Sequence, residues 1–233
     1  MKNKVIAIIG AMDEEIELFH KEMQQMKETH KAGITFYSGV LFDQQVVLCK
    51  SGVGKVNASI CTQILIDQFH VDNVIFTGVA GGVDPALNIG DLVISTECQQ
   101  HDIDASILGF PRGQIPFAEH SIFPADEKLV AYAVESGKQF EDVQVICGKV
   151  ISGDQFIADE EQVKALYQEF NAACVEMEGA AVAQACFLNQ VPFVIIRSLS
   201  DKADKSAPVN FQEFTRLAAQ RSYLMVKGML ALI

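Results

Sequence analysis

The chain has 233 residues, and 30 acidic against 18 basic side chains give it a formal net charge of −12 at pH 7. Such a charge repels nucleic-acid backbones and anionic membrane surfaces, so neither is an expected partner. Hydrophobic residues make up 49% of the chain, but no uninterrupted apolar run reaches the roughly 18 residues of a membrane span. The first apolar stretch is also too short for a signal-peptide core, so we expect a cytoplasmic protein.

The six cysteines are widely spaced, and no two of them form the Cys-x-x-Cys pattern of a zinc ribbon or a thioredoxin-like site. Most have apolar neighbours, which predicts buried free thiols. One segment, His101-Asp102-x-Asp104, resembles a metal-ligand spacing. Ligand sets normally need three or four groups, and no second cluster accompanies this one. We therefore expect neither a metal nor a cofactor.

Apolar strands and amphipathic helices alternate along the chain, starting with a strand at residues 5–10. The next helix carries an apolar face at spacings of three and four: Met12, Ile16, Phe19, Met23 and Met26. Residues 34–41 and 46–50 are predicted to pair as a hairpin. No repeat or linker interrupts the alternation. Residues 1–233 are thus predicted to form a single α/β domain, with a central mixed, mostly parallel sheet flanked by helices on both sides.

Two further segments predict local structure. Ser51-Gly-Val-Gly-Lys55 resembles a P-loop, but Cys49 stands where the first glycine belongs and Val56 replaces the magnesium-binding Ser or Thr. It is better interpreted as a tight turn into a helix whose apolar face holds Val56, Ile60 and Ile64. Near the C-terminus, Asn210-x-x-Glu213 is typical of a capping box at the start of the last helix.

Five of the predicted strands end in polar or glycine-rich segments: residues 10–15, 78–82, 152–157, 176–179 and 197–201. Ligands bind just beyond the carboxyl ends of strands in open α/β sheets, so one crevice could collect all five. Glu15, Glu178 and Asp201 would bring three carboxylates there, which suits acid–base chemistry on a polyol-like substrate. Glu176 and Glu178 would point to the same side if their strand continued.

Residues Phe193–Ile196 form an apolar run that predicts a strand buried on both faces. The sequence changes abruptly from apolar to polar residues at Arg197. Asp201, a few residues further on, lies where a proton donor to a bound substrate would be. The alternative is that Asp201 caps the next helix, since aspartate is a favoured N-cap. Glu15 also has a simple alternative, because acids in a first helical turn complement the helix dipole.

Six segments give the chain its resemblance to the purine nucleoside phosphorylase-like superfamily, and most closely to its 5′-methylthioadenosine/S-adenosylhomocysteine nucleosidases. They are GAMDEE at 10–15, KSGVGK at 50–55, TGVAGG at 77–82, SGDQFI at 152–157, VEME at 175–178 and RSLSD at 197–201. The similarity covers essentially the full length. It implies hydrolysis of the adenine–ribose bond of methylthioadenosine and adenosylhomocysteine, with roles in methionine salvage and removal of methyl-cycle by-products. It also implies a homodimer in which residues 105–124 contribute to the neighbouring subunit's site.

The resemblance also implies a role for each matched residue. Asp201, held by Ser200, would protonate N7 of adenine, Glu15 would orient and activate the attacking water, and Glu178 would hold the ribose hydroxyls. The remaining residues expected at the substrate are Gly81, Glu176, Met177 against the sugar, and Phe156, Ile157 and Phe211 near the base. Arg197 would support the site from behind. Carboxylates around a cationic sugar stabilise its transition state electrostatically.

Two positions depart from the family's pattern, and they bear on the alternatives. Val79 stands where many relatives have serine, and Leu108 replaces an aromatic residue, so the pocket for the 5′ substituent is not defined. A hydrolase for a futalosine-type nucleoside therefore remains an alternative. A phosphorylase would need an anion site, but acids rather than arginine follow the first strand, which favours hydrolysis. A non-catalytic nucleoside sensor would not need both Glu15 and Asp201.

Overall fold

The computed structural model describes residues 4–233. The strands within this range are β1 (Val5–Gly10), β2 (Gln24–Lys31), β3 (Ile34–Leu41), β4 (Gln44–Lys50), β5 (Asn73–Gly82), β6 (Leu92–Gln100), β7 (Ile122–Pro124), β8 (Val145–Ser152), β9 (Cys174–Glu176) and β10 (Phe193–Asp201). The α-helices are α1 (Asp13–Glu22), α2 (Lys55–Phe69), α3 (Glu127–Gly137), α4 (Glu160–Phe170), α5 (Gly179–Leu188) and α6 (Ala207–Leu230).

The strands form one mixed sheet, as predicted, in the order β10-β6-β8-β9-β5-β1-β4-β3-β2, with β7 on β6. The ladders β1–β4, β1–β5, β5–β10, β6–β8 and β8–β9 are parallel, and the other five are antiparallel. Because β5 also pairs with β10, the strands β5, β10, β6, β8 and β9 close into a ring. The carboxyl ends of β1, β5 and β10 therefore meet those of β8 and β9, which run the opposite way.

Helices cover both faces of the sheet, which confirms the predicted layers. On one face α2 and α5 bury small residues such as Ala58, Cys61 and Ala183. On the other face α1, α3 and α6 bury larger ones such as Phe19 and Met225. Five of the six free cysteines are buried, as expected, while Cys147 is exposed. No helix within residues 4–233 is long and apolar enough to cross a membrane.

The predicted first helix is too long at its C-terminal end. α1 ends at Glu22, and Met26 lies in β2 with 43% of its surface exposed. β2 is a polar edge strand that pairs antiparallel with β3, and backbone pairing rather than an apolar pattern holds it. The helical spacing of Met23 and Met26 therefore misled the prediction, although Met23 is buried just beyond the helix.

The predicted apolar face of α2 is also wrong. Val56 and Ile60 are exposed, and α2 packs through Ala58, Cys61 and Leu65 instead. α2 is apolar around most of its circumference, so periodicity does not identify the buried side. Small residues face the sheet because they allow α2 to approach α5 and the strands closely.

The last strand and last helix both have bounds that differ from the prediction. β10 continues past Ile196 to Asp201, and every residue in it is buried. α6 begins at Ala207, after the N-cap residue Ser206, so the predicted capping box at Asn210 is wrong. Asn210 lies in the first turn, where its side-chain amide donates to Ser206 Oγ at 2.7 Å.

Candidate active site

A cavity of about 320 Å³ opens where the carboxyl ends of β1, β5 and β10 meet those of β8 and β9. All five of the predicted polar strand endings contribute to its wall, so the expectation of one common crevice is confirmed. The lining residues are Ala11, Met12, Glu15, Val53, Val79, Ala80, Gly81, Gln155, Phe156, Ile157, Val175, Glu176, Met177, Glu178, Ser200, Asp201 and Phe211. Arg197 is the one predicted site residue that lies behind this wall.

Glu15 lies in the first turn of α1 with its carboxylate turned into the protein. Its Oε2 accepts hydrogen bonds from the amides of Ala11 at 2.6 Å and Met12 at 2.9 Å, and its Oε1 accepts from the Val79 amide at 3.0 Å. Burial raises the pKa of Glu15, and Arg197 and these amides oppose the rise. Helix-dipole stabilisation alone would not need a buried side chain, so the structure favours a role at the cavity.

Arg197 and Glu176 form a fully buried ion pair, with Arg197 Nη2 2.6 Å from Glu176 Oε2. The Arg197 guanidinium also lies over the Phe76 ring, 4.0 Å from its centroid. Glu176 Oε1 accepts from Ser152 Oγ, and the Gly179 amide donates to both carboxylate oxygens at 2.8 and 2.9 Å. Hydrogen bonds thus already occupy both oxygens of Glu176.

Glu178 does not continue the strand of Glu176, so the prediction of two carboxylates on one side of an extended strand is wrong. β9 ends at Glu176, and Glu178 is the N-cap residue of α5, with φ −139° and ψ −40°. Its Oε1 accepts from the Gly54 amide at 2.7 Å. Burial, and then the neighbouring Glu176 carboxylate, raise the pKa of Glu178 to about 8.

Asp201 is the last residue of β10 and lines the same cavity as Glu178. Ser200 Oγ donates to its Oδ2 at 2.9 Å, and the Ala203 amide donates to its Oδ1 at 2.7 Å. Burial raises the pKa of Asp201. The helix that follows starts at Ala207 with Ser206 as its N-cap residue, so Asp201 is not a helix cap.

The apolar part of the cavity lies near Asp201. Phe156 and Phe211 meet edge to face with ring centroids 5.6 Å apart, and Ile157 and Met177 complete this part of the wall. Gly81 leaves room for the acid, because a Cβ there would lie 2.9 Å from Asp201 Oδ1. Flat apolar surfaces beside a buried carboxyl suit a planar heterocycle.

The main-chain amides that donate to Glu15, Glu178 and Asp201 were missed from the sequence, among them those of Gly54, Val79 and Ala203. Main-chain groups are the same in every residue type, so their identity carries no signal. The glycine-rich segment 52–54 was an indirect signal, since it allows the turn that aims the Gly54 amide at Glu178. Val79 keeps its amide whatever its side chain is.

The His101-Asp102-x-Asp104 segment does not form a metal site. No group of three or more His, Cys, Asp or Glu side chains within residues 4–233 is arranged to hold a metal ion. Asp102 pairs with Lys55 at 2.5 Å instead. His101 is buried, and neither ring nitrogen has a hydrogen-bond partner within the described chain.

Comparison with known proteins decides the family. The family model described as Phosphorylase superfamily matches residues 5–231. The 5′-methylthioadenosine/S-adenosylhomocysteine nucleosidase of Anoxybacillus flavithermus is 45% identical over 225 residues, which covers 96% of this chain and 97% of the relative. The chain belongs to the 5′-methylthioadenosine/S-adenosylhomocysteine nucleosidase family.

Solved structures agree with this family at the level of the whole fold. The nucleosidase of Neisseria meningitidis in complex with methylthio-immucillin-A aligns with a TM-score of 0.95 and 40% identity, covering 99% of this chain and all of the other. The futalosine hydrolase of Helicobacter pylori aligns with a TM-score of 0.92 and 36% identity, covering 99% and 98%. The fold is thus shared with a protein that is named as a futalosine hydrolase.

Proposed function

We propose that the protein hydrolyses the N-glycosidic bond of 5′-methylthioadenosine and S-adenosylhomocysteine, releasing adenine and the 5-thioribose product. Membership of the nucleosidase family supports this function. The observation that carries it is the presence of two buried carboxyl groups, Glu15 and Asp201, in the wall of one cavity. A nucleoside-binding sensor would not need both groups.

In the proposed reaction, the Asp201 carboxyl donates its proton to N7 of adenine. The bond between the sugar C1′ and the base N9 then breaks, and its electron pair leaves with the neutral base. Water attacks the oxocarbenium-like C1′, and its proton passes to the Glu15 carboxylate. Ser200 and the Ala203 amide hold Asp201 in place for the transfer. Acid and base catalysis of this kind typically contribute ~10²–10⁴-fold each.

We propose that Glu178 binds the ribose hydroxyls, since its carboxylate reaches the cavity and the Gly54 amide fixes it. Glu176 borders the cavity as well, but other groups occupy both of its oxygens. Glu176 therefore acts through Glu178, whose amide donates to its Oε2 at 3.2 Å. Arg197 balances the charge of Glu176.

We propose that the base lies against Phe156, Ile157 and Phe211, and that Met177 contacts the sugar. Gly81 keeps the space between Asp201 and the base open. The Val79 amide holds Glu15, so the valine side chain at this position is compatible with the reaction.

The cavity supports hydrolysis over phosphorolysis. None of its lining residues within 4–233 is lysine or arginine, whereas a phosphate co-substrate normally needs cationic or clustered amide donors. Arg197 is fully buried and already paired with Glu176. Water is therefore the nucleophile that the site favours.

We also propose a homodimer in which residues 105–124 reach the neighbouring subunit's site. Ile107 and Phe117 in this segment are 95% and 91% exposed. Val56, Ile60 and Leu188 on the adjacent α2 and α5 are exposed as well. A second copy would remove this apolar surface from water. Analytical ultracentrifugation at assay concentration should show a dimer, and a fully active monomer would contradict the proposal.

The wider role and the location also stay proposals. The substrates imply a place in methionine salvage and in removal of methyl-cycle by-products. The buried free thiols fit a reducing compartment such as the cytoplasm.

The test is release of free adenine from methylthioadenosine in phosphate-free buffer, followed by chromatography. Turnover without phosphate supports the nucleosidase, and a strict requirement for phosphate would identify a phosphorylase. Saturable binding without turnover would identify a sensor. A parallel assay with a futalosine-type nucleoside decides the 5′ specificity, and a higher kcat/KM for that substrate would overturn the proposed one.

A further inference from the structure

A partly buried ion pair, Lys55–Asp102, lies outside the cavity wall and has no part in the reaction above. Lys55 Nζ is 2.5 Å from Asp102 Oδ1 and 2.9 Å from Gln100 Oε1. The two side chains are only 16% and 19% exposed. Burial raises the pKa of Asp102, but the hydrogen bonds from Lys55 and the Asp154 amide outweigh it and hold the pKa below its usual value. Asp102 is therefore ionised at neutral pH.

The second oxygen of Asp102 holds the segment that follows β8. The Asp154 amide donates to Asp102 Oδ2 at 3.0 Å, and Asp154 Oδ1 in turn accepts from the Lys55 amide at 2.8 Å. Lys55 thus contacts Asp154 through its main chain and Asp102 through its side chain. These three residues form a closed hydrogen-bonded cycle, which we call the Lys55–Asp102–Asp154 cycle.

The cycle fixes Asp154, which directly precedes residues 155–158. We call residues 155–158 the base-side segment. None of the backbone amides of residues 155–158 donates a hydrogen bond to another protein group in the described chain. The next anchor is Asp159, which caps α4. Between these two points lie Gln155, Phe156 and Ile157, all in the cavity wall. Ile157 is buried in a core cluster, so it is the path of Gln155 and Phe156 that depends on where Asp154 is held.

The turn at the start of α2 links the same cycle to the sugar side. The Gly54 amide donates to Glu178, and the adjacent Lys55 amide donates to Asp154. Two consecutive amides at one helix start thus set the spacing between the proposed sugar and base contacts. The His101 ring packs directly against Gly153, so closely that a Cβ at this position would overlap the ring.

We propose that Lys55 and Asp102 are positioning residues for adenine recognition, acting through Asp154 on the segment that carries Phe156 and Ile157. This inference rests on the proposed function, because it takes the base to lie against that segment. The cycle controls how tightly the base is bound and contributes little to the proton transfers at Asp201 and Glu15. Its loss therefore changes KM and the affinity for adenine more than kcat.

The test compares Asp102→Asn and Lys55→Met with the wild-type protein. An asparagine amide places a donor opposite either Lys55 or the Asp154 amide, so one hydrogen bond of the cycle is lost. Loss of one charge-assisted hydrogen bond corresponds to about a tenfold change in affinity. We expect KM for methylthioadenosine and the calorimetric Kd for adenine to rise about tenfold, with kcat within about threefold. The double variant should match the single variants, because both changes open the same cycle.

Lys149→Met is the matched control. Lys149 of β8 pairs with Glu97 of β6 at 2.8 Å and is 15% exposed, which matches the burial of Lys55. In the described chain its ammonium makes hydrogen bonds or ion pairs with Glu97 and Gln99 and with none of residues 153–157. Its KM and adenine Kd should stay at wild-type values even if its melting temperature falls as far. Unchanged KM and Kd in Asp102→Asn, or equal increases in Lys149→Met, would overturn the inference.

The adenine measurement also separates this inference from the proposed function. A wild-type protein that binds adenine but releases none from any nucleoside would sink the function and leave the positioning role testable. If Lys55→Met does not fold, Asp102→Asn, which replaces one oxygen by nitrogen, decides the result alone.

Discussion

The two carboxyl groups proposed for proton transfer are both buried, yet the protein surrounds them differently. Glu15 accepts three main-chain hydrogen bonds and has the Arg197 cation nearby. Asp201 accepts one main-chain hydrogen bond and one from a hydroxyl, and its charged neighbour Asp204 is an acid. Donors and cations favour the ionised form of a carboxyl, whereas burial and nearby acids favour the protonated form.

The two groups differ in which neighbours oppose or add to the effect of burial on the pKa. Burial raises the pKa of Asp201 and the Asp204 carboxylate adds to the rise, while the Ala203 amide and the Ser200 hydroxyl oppose it. Burial also raises the pKa of Glu15, and Arg197 and the three amides oppose the rise. An acid beside Asp201 and a cation beside Glu15 fit the proposed acid and base roles.

The largest expected effect tests the acid. Asp201→Asn keeps the size and one acceptor but removes the transferable proton, so adenine would have to leave as an anion. We expect kcat for methylthioadenosine to fall by up to about 10⁴-fold. Circular dichroism should show an unchanged fold. Near wild-type turnover by the folded variant would show that Asp201 is not the acid, and its contrast with Glu15 would then have no role in catalysis.

The next largest effect tests the base. Glu15→Gln removes the charge that activates water, and we expect kcat to fall about 10²-fold, toward the lower end for such groups because water attacks an already cationic carbon. Binding of a non-hydrolysable analogue should persist in calorimetry. Asp13→Asn is the control, since Asp13 lies in the same helical turn but is exposed and pairs with Lys50. Equal losses in both variants would show that Glu15 has no special role.

A smaller effect tests the hydroxyl that holds the acid. Ser200→Ala removes the hydrogen bond to Asp201 Oδ2, and the loss of a bond worth about 1 kcal/mol should lower kcat/KM about fivefold. Ser198→Ala is the matched control on the same strand, because Ser198 contacts the Gly90 carbonyl and not Asp201. A pair of variants with the same kcat/KM would mean that the Ala203 amide alone positions the acid.

The smallest effect extends the comparison to Glu178, which accepts one main-chain hydrogen bond. Its folded-state pKa of about 8 lies above the ordinary 4.5, so the folded protein keeps a proton that the unfolded chain releases between these values. Stability should therefore fall as pH rises from about 5 to 8. The ligand-free melting temperature should be a few degrees lower at pH 8, and Glu178→Gln should flatten the slope. A slope that is identical in both proteins would contradict the raised pKa.

Much of the architecture was predictable where chemistry and pattern coincide. The bounds of β1 match the predicted strand at residues 5–10, because an apolar run that ends in glycine has few other structural solutions. The meeting of five strand endings was predictable for the same reason. Residue chemistry alone left two alternatives open for each acid: Asp201 could donate a proton or cap a helix, and Glu15 could act in the site or complement the helix dipole. The resemblance to the family added the proposed roles.

The misses have physical causes. β10 continues through Arg197 and Ser200 because the closed ring buries these polar side chains and supplies partners for them. The exposed apolar side of α2 has the same periodicity as a buried one, so the sequence cannot distinguish a core face from an exposed face. The amides that hold Glu15, Glu178 and Asp201 depend on backbone path alone.

The absence of a side chain at Gly78 has a consequence for which mutations the protein tolerates. A Cβ at this position would overlap Glu15 Oε1 and would lie 3.0 Å from Arg197 Nη1. Even alanine would thus push Glu15 and Arg197 apart. A Cβ at Gly33, by contrast, would have no heavy atom within 4 Å. In a saturation mutagenesis library selected for adenine release, position 78 should accept no replacement, whereas position 33 should accept asparagine, which tolerates its positive φ.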